Sequence, residues 1–189
     1  MTIQKDGTDK NGNYDMLAKY IKHKTLNTII DIGAWWGPWT LYWQKYAKRV
    51  EIFEPNKKIL PMLEHNVNNL TNCMIYKNAL GSAEAKVSMA YESHSGTNHI
   101  TDHNGDIVMK TLDSFGFTDV DIIKIDVEGY EIEVLKGAEQ TIKMYKPFMY
   151  IETKEGTDAL DLLLSWGYVK LHSFKKGHEV LNHKRRRLN

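Results

Sequence analysis

The sequence has little of three features that would narrow its class at once: cysteine, long apolar runs and net charge. Cys73 is the only cysteine among 189 residues, which excludes an internal disulfide and fits a reducing compartment. No apolar run approaches the ~18 residues of a membrane span, and the amino terminus lacks the apolar core of a signal peptide. The formal net charge is only +1, so no polyanionic partner is indicated. These absences predict a globular, cytoplasmic protein without a membrane partner.

What is present is the composition of a single domain spanning residues 1–189. Hydrophobic residues make up 42% of the chain and charged residues 26%, as in ordinary globular proteins. We expect residues 1–13 to be a flexible lead-in and residues 183–189 to be a basic tail. The tail contains four consecutive basic residues, which are typical of a solvated end but leave contact with nucleic acid open.

The stretch over residues 28–40 is typical of a buried strand, a glycine turn and the start of a helix. An apolar run ends at Ile32, Gly33 and Gly37 bracket the turn, and Pro38 suits the first turn of a helix. The glycine spacing is not the G-x-G-x-x-G of dinucleotide-binding proteins, and no P-loop sequence follows it.

Two carboxylates favour a particular ligand for this turn. Asp31 would repel a pyrophosphate, but it suits a cationic amine such as that of S-adenosylmethionine. Glu54 ends the next predicted strand, where a carboxylate can accept hydrogen bonds from both ribose hydroxyls. The alternatives are a plain strand-ending turn at Asp31 and a surface glutamate at Glu54.

Alternating strand and helix patterns predict an α/β fold with a doubly wound, mostly parallel sheet. Residues 82–110 interrupt this alternation and predict an inserted hairpin or lid, whose polar loop holds His94, His99 and His103. Other predicted elements include a helix ending near residue 24, a strand over residues 73–80, a strand over residues 121–127 and one helix over residues 129–145.

Lys124, Asp126 and Glu128 alternate along the strand predicted at residues 121–127 and would share one face. Charges on a covered face must be paired or must line a cavity, unless the strand is a solvated edge. Asp126 and Glu128 would then lie at the strand mouth, near Glu152 at the end of the neighbouring strand. These three carboxylates are the candidate catalytic residues. The loop histidines are more typical of solvated positions, and we predict no required metal.

Several blocks of the sequence resemble the FkbM-like methyltransferases, a branch of the class I S-adenosylmethionine-dependent enzymes. The most specific block is Ile-Lys-Ile-Asp-Val-Glu-Gly-Tyr-Glu at residues 123–131, followed by Val-Leu-Lys-Gly-Ala at residues 134–138. The other matching blocks are residues 31–40, residues 53–56, Asn66, residues 78–80 and residues 111–113. One departure is Trp35, where the family usually has Asn.

The resemblance implies a class I fold with a seven-stranded sheet and transfer of a methyl group, typically to a hydroxyl oxygen. It also implies that Asp31, Gly33 and Ala34 hold the methionine end, that Glu54 holds the ribose, and that Asn78 and Ala79 line the adenine pocket. The predicted cofactor-binding set is Asp31, Gly33, Ala34, Trp36, Gly37, Thr40, Glu54, Pro55, Asn56, Asn78, Ala79 and Asp126.

The sequence therefore predicts an S-adenosylmethionine-dependent O-methyltransferase acting on a hydroxyl of a sugar or small metabolite. One alternative is a ribose 2′-O-methyltransferase on nucleic acid, which the basic tail and the tryptophans favour. The Lys-Asp-Lys-Glu set expected of that class has no clear counterpart in the sequence. A second alternative is a degenerate methyltransferase fold that serves only as a binding module, which Trp35 and the short chain favour.

Overall fold

A large, mostly parallel sheet forms the centre of the fold. The computed structural model describes residues 25–91, 98–153, 155–173 and 177–184, without the side chains of residues 102 and 103. The helix predicted before residue 25, His94 and residues 185–189 of the basic tail lie outside this range. None of the helices in the described part of the chain has the length and hydropathy that a membrane span requires.

Seven of the described strands form the main sheet, in the order β3-β2-β1-β7-β8-β10-β9. All neighbours from β3 to β8 are parallel, whereas β10 is antiparallel to both β8 and β9. A smaller sheet has the order β4-β6-β5. The strands are β1 Leu26–Ile32, β2 Ala47–Phe53, β3 Cys73–Tyr76, β4 Ala79–Leu80, β5 Ala85–Ala90, β6 His99–Lys110, β7 Val120–Ile125, β8 Phe148–Glu152, β9 Tyr168–Ser173 and β10 His178–His183.

Helices connect the strands of the main sheet, as the alternating sequence pattern predicts. α2 begins at Leu60, so Pro61 falls in its first turn, where proline is tolerated. The helices are α1 Pro38–Trp43, α2 Leu60–Val67, α3 Glu131–Gly137, α4 Glu139–Tyr145 and α5 Asp158–Ser165, and short 3₁₀ helices cover Gln44–Tyr46 and Leu112–Phe115.

Alternation along the strands gives the main sheet two apolar faces. One face packs against the helix α1 tryptophans Trp39 and Trp43, and we call it the Trp39 face. Ile29, Ile122 and Tyr150 belong to this face, whereas their strand neighbours pack on the opposite face. Because side chains two residues apart share a face, the polar residues Asp31, Lys124 and Glu152 continue the Trp39 face at the carboxyl ends of β1, β7 and β8.

Two predicted elements are wrong because distant segments divide them. The strand expected over residues 73–80 ends at Tyr76, and Ala79–Leu80 pair instead with β6 in the smaller sheet. The helix expected over residues 129–145 breaks at Ala138 and restarts as α4. The Asp113 carboxylate accepts hydrogen bonds from the backbone N–H groups of Gln140 and Thr141, which lie 27 and 28 residues away, and so caps the new helix.

The inserted hairpin is present, but it is more regular than the sequence predicts. β5 pairs antiparallel with the long strand β6, and the two join β4 in the smaller sheet. His99 and His103 therefore lie in β6 rather than in a polar loop. One face of β6 is exposed to solvent and carries polar residues. The sequence of this segment therefore resembles a polar loop rather than one long strand.

Candidate active site

The candidate site lies where β1, β2, β7 and β8 end on the same edge of the main sheet. β1 pairs with β2 on one side and with β7 on the other, so the strand order reverses at β1. Such a switch point leaves a crevice at the carboxyl edge of the sheet, where ligands of α/β proteins bind. We divide the site into a glycine-turn half, formed by Asp31, Gly33, Trp35 and Glu54, and a carboxylate half, formed by Asp126, Glu152 and His178.

Gly33 allows the ends of β1 and β7 to approach each other closely. It has a positive φ of 74°, and a Cβ atom there would lie 1.8 Å from the backbone oxygen of Asp126. The Asp126 N–H in turn donates to the carbonyl of Ile32, at 3.1 Å. Gly33 is therefore required by backbone packing between the two halves of the site.

Asp31 is buried and bonded within the protein, with only 1% of its surface exposed. Its Oδ2 accepts a hydrogen bond from the Thr40 hydroxyl at 2.7 Å, and its Oδ1 lies 3.3 Å from Lys124 Nζ. Lys124 also donates to the Gly33 carbonyl at 2.5 Å. Burial alone would lower the pKa of Lys124, but Asp31 and Asp126 outweigh it and hold that pKa above its ordinary value. Asp31 therefore braces the glycine turn through Lys124 and Thr40.

Glu54 directs its carboxylate at the backbone of the glycine turn. Its Oε2 accepts a hydrogen bond from the Trp35 N–H at 2.7 Å, and its Oε1 accepts one from the Asn56 N–H at 2.8 Å. Burial raises the pKa of Glu54 to about 7, although both hydrogen bonds oppose the shift. A carboxylate has roughly four acceptor positions, so Glu54 retains acceptor capacity for the hydroxyl groups of a ligand.

Trp35 has a left-handed backbone, with φ of 55°. This conformation costs a bulky residue about 1–2 kcal/mol, whereas Asn tolerates it well. It also turns the Trp35 N–H toward Glu54. The Asn that the resemblance to the FkbM-like family implies at this position would adopt this backbone at a lower energetic cost than Trp35 does.

The other predicted cofactor residues surround the same turn. Asn56 Oδ1 accepts a hydrogen bond from the Lys58 N–H, and the Trp36 carbonyl accepts one from Asn66. Asn78 Nδ2 donates to the Val108 carbonyl in β6. Ala34, Gly37, Thr40 and Ala79 are buried, whereas Trp36, Pro55 and Asn78 are half-buried. The sheet thus gathers residues of the predicted set from three separate loops at one edge.

The carboxylate half brings together Glu152 at the end of β8, His178 at the start of β10 and Asp126 just after β7. One ligand-type atom from each of Asp126, Glu152 and His178 lies within 4.8 Å of the others. His178 pairs with Glu152 in the antiparallel register of β8 and β10, with 3.9 Å between Nε2 and Oε1. The His178 ring stacks on Tyr150 at a centroid distance of 5.3 Å. Lys124 Nζ lies 3.6 Å from Asp126 Oδ2 and so connects the two halves of the site.

Asp126 and Glu152 respond differently to this common environment. Burial and the facing Asp126 raise the pKa of Glu152 to about 9. Burial also opposes ionisation of Asp126, but the Lys124 ammonium and hydrogen bonding to Glu152 hold the pKa of Asp126 below its ordinary value. Near neutral pH, Glu152 therefore carries a proton and Asp126 is ionised. Glu152 Oε2 is buried and has no hydrogen-bond partner among the described residues.

Glu128 does not continue the predicted charge stripe, because β7 ends at Ile125 and Glu128 has a left-handed φ of 56°. The Glu131 carboxylate accepts hydrogen bonds from the N–H groups of Val127 and Gly129 and so holds this turn. Burial, followed by the negative charge of Asp126, raises the pKa of Glu128, and His99 opposes the rise. Glu128 therefore interacts electrostatically with the carboxylate half from a turn, not from the strand face.

His178 is the residue of this site that the sequence did not single out. Its place opposite Glu152 depends on the register of β10 against β8, and no local pattern specifies that register. The only available signal was the strand-like pattern of residues 168–173 and 179–182, which does not specify the strand that these segments join.

Three solved structures resemble this fold. Methyltransferase FkbM from Methylobacillus flagellatus has a TM-score of 0.60 and 20% identity, over 85% of this chain and 44% of that chain. Precorrin-6y C5,15-methyltransferase from Geobacter metallireducens has a TM-score of 0.58 and 13% identity, over 95% and 91%. A candidate methyltransferase from Streptococcus mutans, in complex with SAH (S-adenosylhomocysteine), has a TM-score of 0.50 and 10% identity, over 88% and 94%.

These structural neighbours have the class I methyltransferase fold, which the strand order and the position of the glycine turn reproduce. The chain spans less than half the length of the Methylobacillus structure. No curated protein matches it in sequence. The Methyltransferase FkbM domain family, however, matches residues 31–170, which include every residue of the site except His178. The chain therefore belongs to the FkbM family of methyltransferases.

Proposed function

We propose that this protein is an S-adenosylmethionine-dependent O-methyltransferase whose acceptor is a hydroxyl group of a sugar or small metabolite. The observation that carries the proposal is that Glu54 and Asp126 follow β2 and β7, the two strands that flank β1 and its glycine turn. Glu54 has acceptor capacity for a ribose, and the carboxylate half lies at the adjoining strand ends. The SAH complex of the Streptococcus mutans neighbour supports the cofactor class.

The residues of the glycine-turn half fit this cofactor. The Glu54 carboxylate would accept hydrogen bonds from ribose hydroxyls, and the backbone around Gly33 and Ala34 would line the methionine end. The Asn78–Ala79 segment would border the adenine. When bound, S-adenosylmethionine supplies an electrophilic methyl group on a sulfonium. Asp31 acts indirectly in this arrangement, because Thr40 and Lys124 already engage its carboxylate.

The carboxylate half would position the acceptor and remove its proton. A hydroxyl oxygen that accepts a methyl group must lose its proton, and a nearby carboxylate is a suitable general base. Asp126 is ionised near neutral pH, and Glu128 has a pKa above its ordinary value, which makes it the stronger base of the two. Aligning the hydroxyl with the methyl carbon and excluding water supply the rest of the catalytic effect.

The charge of the site favours a neutral acceptor over a nucleic acid. The carboxyl groups of Asp126 and Glu128 lie at the acceptor end, where Asp126 is ionised, and Lys124 is shared between Asp31 and Asp126. A phosphate backbone would be repelled there, whereas a sugar hydroxyl can donate to these carboxylates. This arrangement supports a sugar or small metabolite rather than the ribose of RNA.

Calorimetric titration with SAH tests the cofactor assignment. We expect wild type to bind SAH and Glu54→Gln to bind at least about tenfold more weakly, because a neutral amide accepts hydroxyl hydrogen bonds less strongly. Glu51→Gln is the matched control, since Glu51 is a buried carboxylate on β2 that is bonded to the Tyr76 hydroxyl. No binding by wild type, or equal affinities for wild type and Glu54→Gln, would refute the assignment.

The same titration should depend on pH through Glu54. Folding raises the pKa of Glu54 from 4.5 to about 7. The protonated carboxyl group therefore stabilises the folded protein fully below pH 4.5, and this contribution to the free energy of unfolding is lost as the pH rises through 7. Only the ionised form is a full acceptor, so SAH affinity should increase about tenfold from pH 6 to pH 8. Glu54→Gln should show a flat profile, and an equally steep profile in that variant would assign the effect to another group.

A further inference from the structure

We propose that Asp126, Glu152 and His178 form a binding site for a divalent first-row metal cation, with Mn²⁺ as the representative ion. The binding itself does not require the methyltransferase activity, but the role we give the ion at the acceptor hydroxyl rests on the proposed function. The sequence predicts no required metal because the spacing of His94, His99 and His103 does not define a metal site, whereas His178 lies in a different segment, at the start of β10.

The three side chains are held in place by the backbone of three strand ends. Asp126 is fixed by its N–H bond to Ile32 at 3.1 Å, and Glu152 and His178 are paired in the register of β8 and β10. The neighbouring residues Thr153 and Gly177 extend the pairing of Glu152 with His178, because the Thr153 N–H donates to the Gly177 carbonyl at 2.5 Å. Stacking on Tyr150 restrains the imidazole of His178. The ligand atoms are therefore preorganised by the sheet.

The distances suit a common ion. Two ligands that each lie ~2.1 Å from one metal are separated by roughly 3–4.2 Å. Glu152 Oε1 and His178 Nε2 are 3.9 Å apart, and all three ligand atoms lie within 4.8 Å of one another. Small side-chain rotations would bring them into coordination, with no change in the backbone.

The charges around Asp126 and Glu152 also favour a bound cation. Lys124 is the only ammonium that lies within 4.0 Å of Asp126 among the described residues, and it is shared with the buried carboxylate of Asp31. The ion pairs of Lys124 are with Asp31 and Asp126, whereas Glu152 faces His178, which is charged only when it is protonated. Glu152 Oε2 is buried without a hydrogen-bond partner in the described part of the chain. A divalent cation that displaces the proton of Glu152 would balance the charges of Asp126 and Glu152 together and would give this oxygen a partner.

The ligand types favour certain metals. Two carboxylates and one imidazole suit Mn²⁺, Fe²⁺ or Zn²⁺ better than Ca²⁺ or Mg²⁺, which prefer oxygen ligands alone. Three protein ligands leave coordination positions open, and an acceptor hydroxyl bound there would lose its proton more easily. Glu128, which is not one of the three ligands, would then be the carboxylate that takes this proton.

Titration with Mn²⁺, followed by electron paramagnetic resonance, tests the site without cofactor or acceptor. We expect wild type to bind about one equivalent, and Glu152→Ala and His178→Ala to bind at least about tenfold more weakly. Matched controls are Glu155→Ala and His172→Ala, which remove exposed residues and should bind as wild type does. No binding by wild type, or equal losses in the controls, would overturn the proposal.

A second measurement on wild type guards against misfolded variants. In protein labelled with ¹⁵N-histidine, substoichiometric Mn²⁺ should broaden the imidazole signals of His178 before those of His65 and His172. The His178 signals are assigned by their absence from His178→Ala. Selective broadening of another histidine would overturn the site. Because neither measurement contains SAH, a negative result here and a negative SAH titration are separate outcomes.

Discussion

The glycine-turn half and the carboxylate half of the site each contain two buried or half-buried carboxyl groups, but their surroundings differ. In the glycine-turn half, Asp31 is bonded to Thr40 and Lys124, and Glu54 accepts two backbone N–H groups. In the carboxylate half, Asp126 and Glu152 face each other, and one oxygen of Glu152 has no hydrogen-bond partner among the described residues. Both carboxylates of the first half are engaged by protein groups, although Asp31 Oδ1 has only the ion pair with Lys124, whereas Glu152 Oε2 in the second half has neither a hydrogen bond nor an ion pair among the described residues.

Under the proposed function, this difference assigns cofactor binding to the glycine-turn half and proton or cation chemistry to the carboxylate half. A carboxylate that is already held by backbone groups is preorganised to bind a ligand without rearrangement. A pair of carboxyl groups with opposed pKa shifts can exchange a proton or hold a cation, which is typical of catalytic positions. Lys124 links the two halves, since it lies 3.3 Å from Asp31 and 3.6 Å from Asp126.

The largest effect should come from Asp126→Asn, which tests whether chemistry resides in the carboxylate half. We expect turnover to fall by about 10²–10⁴-fold, because the substitution removes either the proton acceptor or a metal ligand. SAH affinity should stay within about threefold of wild type, because Glu54 is untouched. Asp121→Asn is the control, as Asp121 lies at the opposite end of β7 and bonds Asn27. Undiminished turnover in Asp126→Asn would show that the chemistry does not depend on the Asp126 carboxylate, and the proposed division between a binding half and a chemical half would be wrong.

Lys124→Met should destabilise the fold, because it removes the ammonium that both halves share. Asp31 would remain as a buried charge without its cation, at a cost of about 3–5 kcal/mol in the free energy of unfolding. Urea denaturation measures this change. Lys170→Met is the control, since Lys170 pairs with the exposed Glu155 and should cost less than about 1 kcal/mol. Equal losses in the free energy of unfolding would show that the buried ion pairs of Lys124 stabilise the fold no more than the surface ion pair of Lys170 does.

The smallest effect should be a gain of stability in Trp35→Asn. The left-handed backbone at this position favours Asn, so the free energy of unfolding should rise by about 1 kcal/mol. Trp36→Asn provides the comparison, because Trp36 does not have a positive φ and should gain nothing from the change. A loss of stability in Trp35→Asn would show that contacts of the indole outweigh the backbone strain.

Much of the glycine-turn half was predictable because its residues are close together in the sequence. The apolar run of β1, the glycines and Pro38 form one continuous stretch, and Glu54 follows at the end of the next strand. The alternating elements also predicted the doubly wound sheet, which the strand order confirms. What the sequence could not show is that Thr40 and Lys124 engage Asp31, because those contacts depend on how α1 and β7 pack.

The carboxylate half required the tertiary structure. Local sequence placed Lys124, Asp126 and Glu128 on one strand, but the chain turns after Ile125 and carries Glu128 off the strand face. His178 pairs with Glu152, 26 residues earlier in the sequence, and this pairing brings it to Asp126, which lies 52 residues earlier.

By itself, the sequence determined the alternation of strands and helices, the glycine turn and the family, since each depends on short-range patterns of residues. Only the tertiary structure decided which charges meet, because the register of β8 and β10 and the packing of β7 on β1 bring distant residues within a few ångströms. Those contacts fix the pKa values of Glu54 and Glu152, since burial and neighbouring charges, rather than residue type, set the energy of an ionised group.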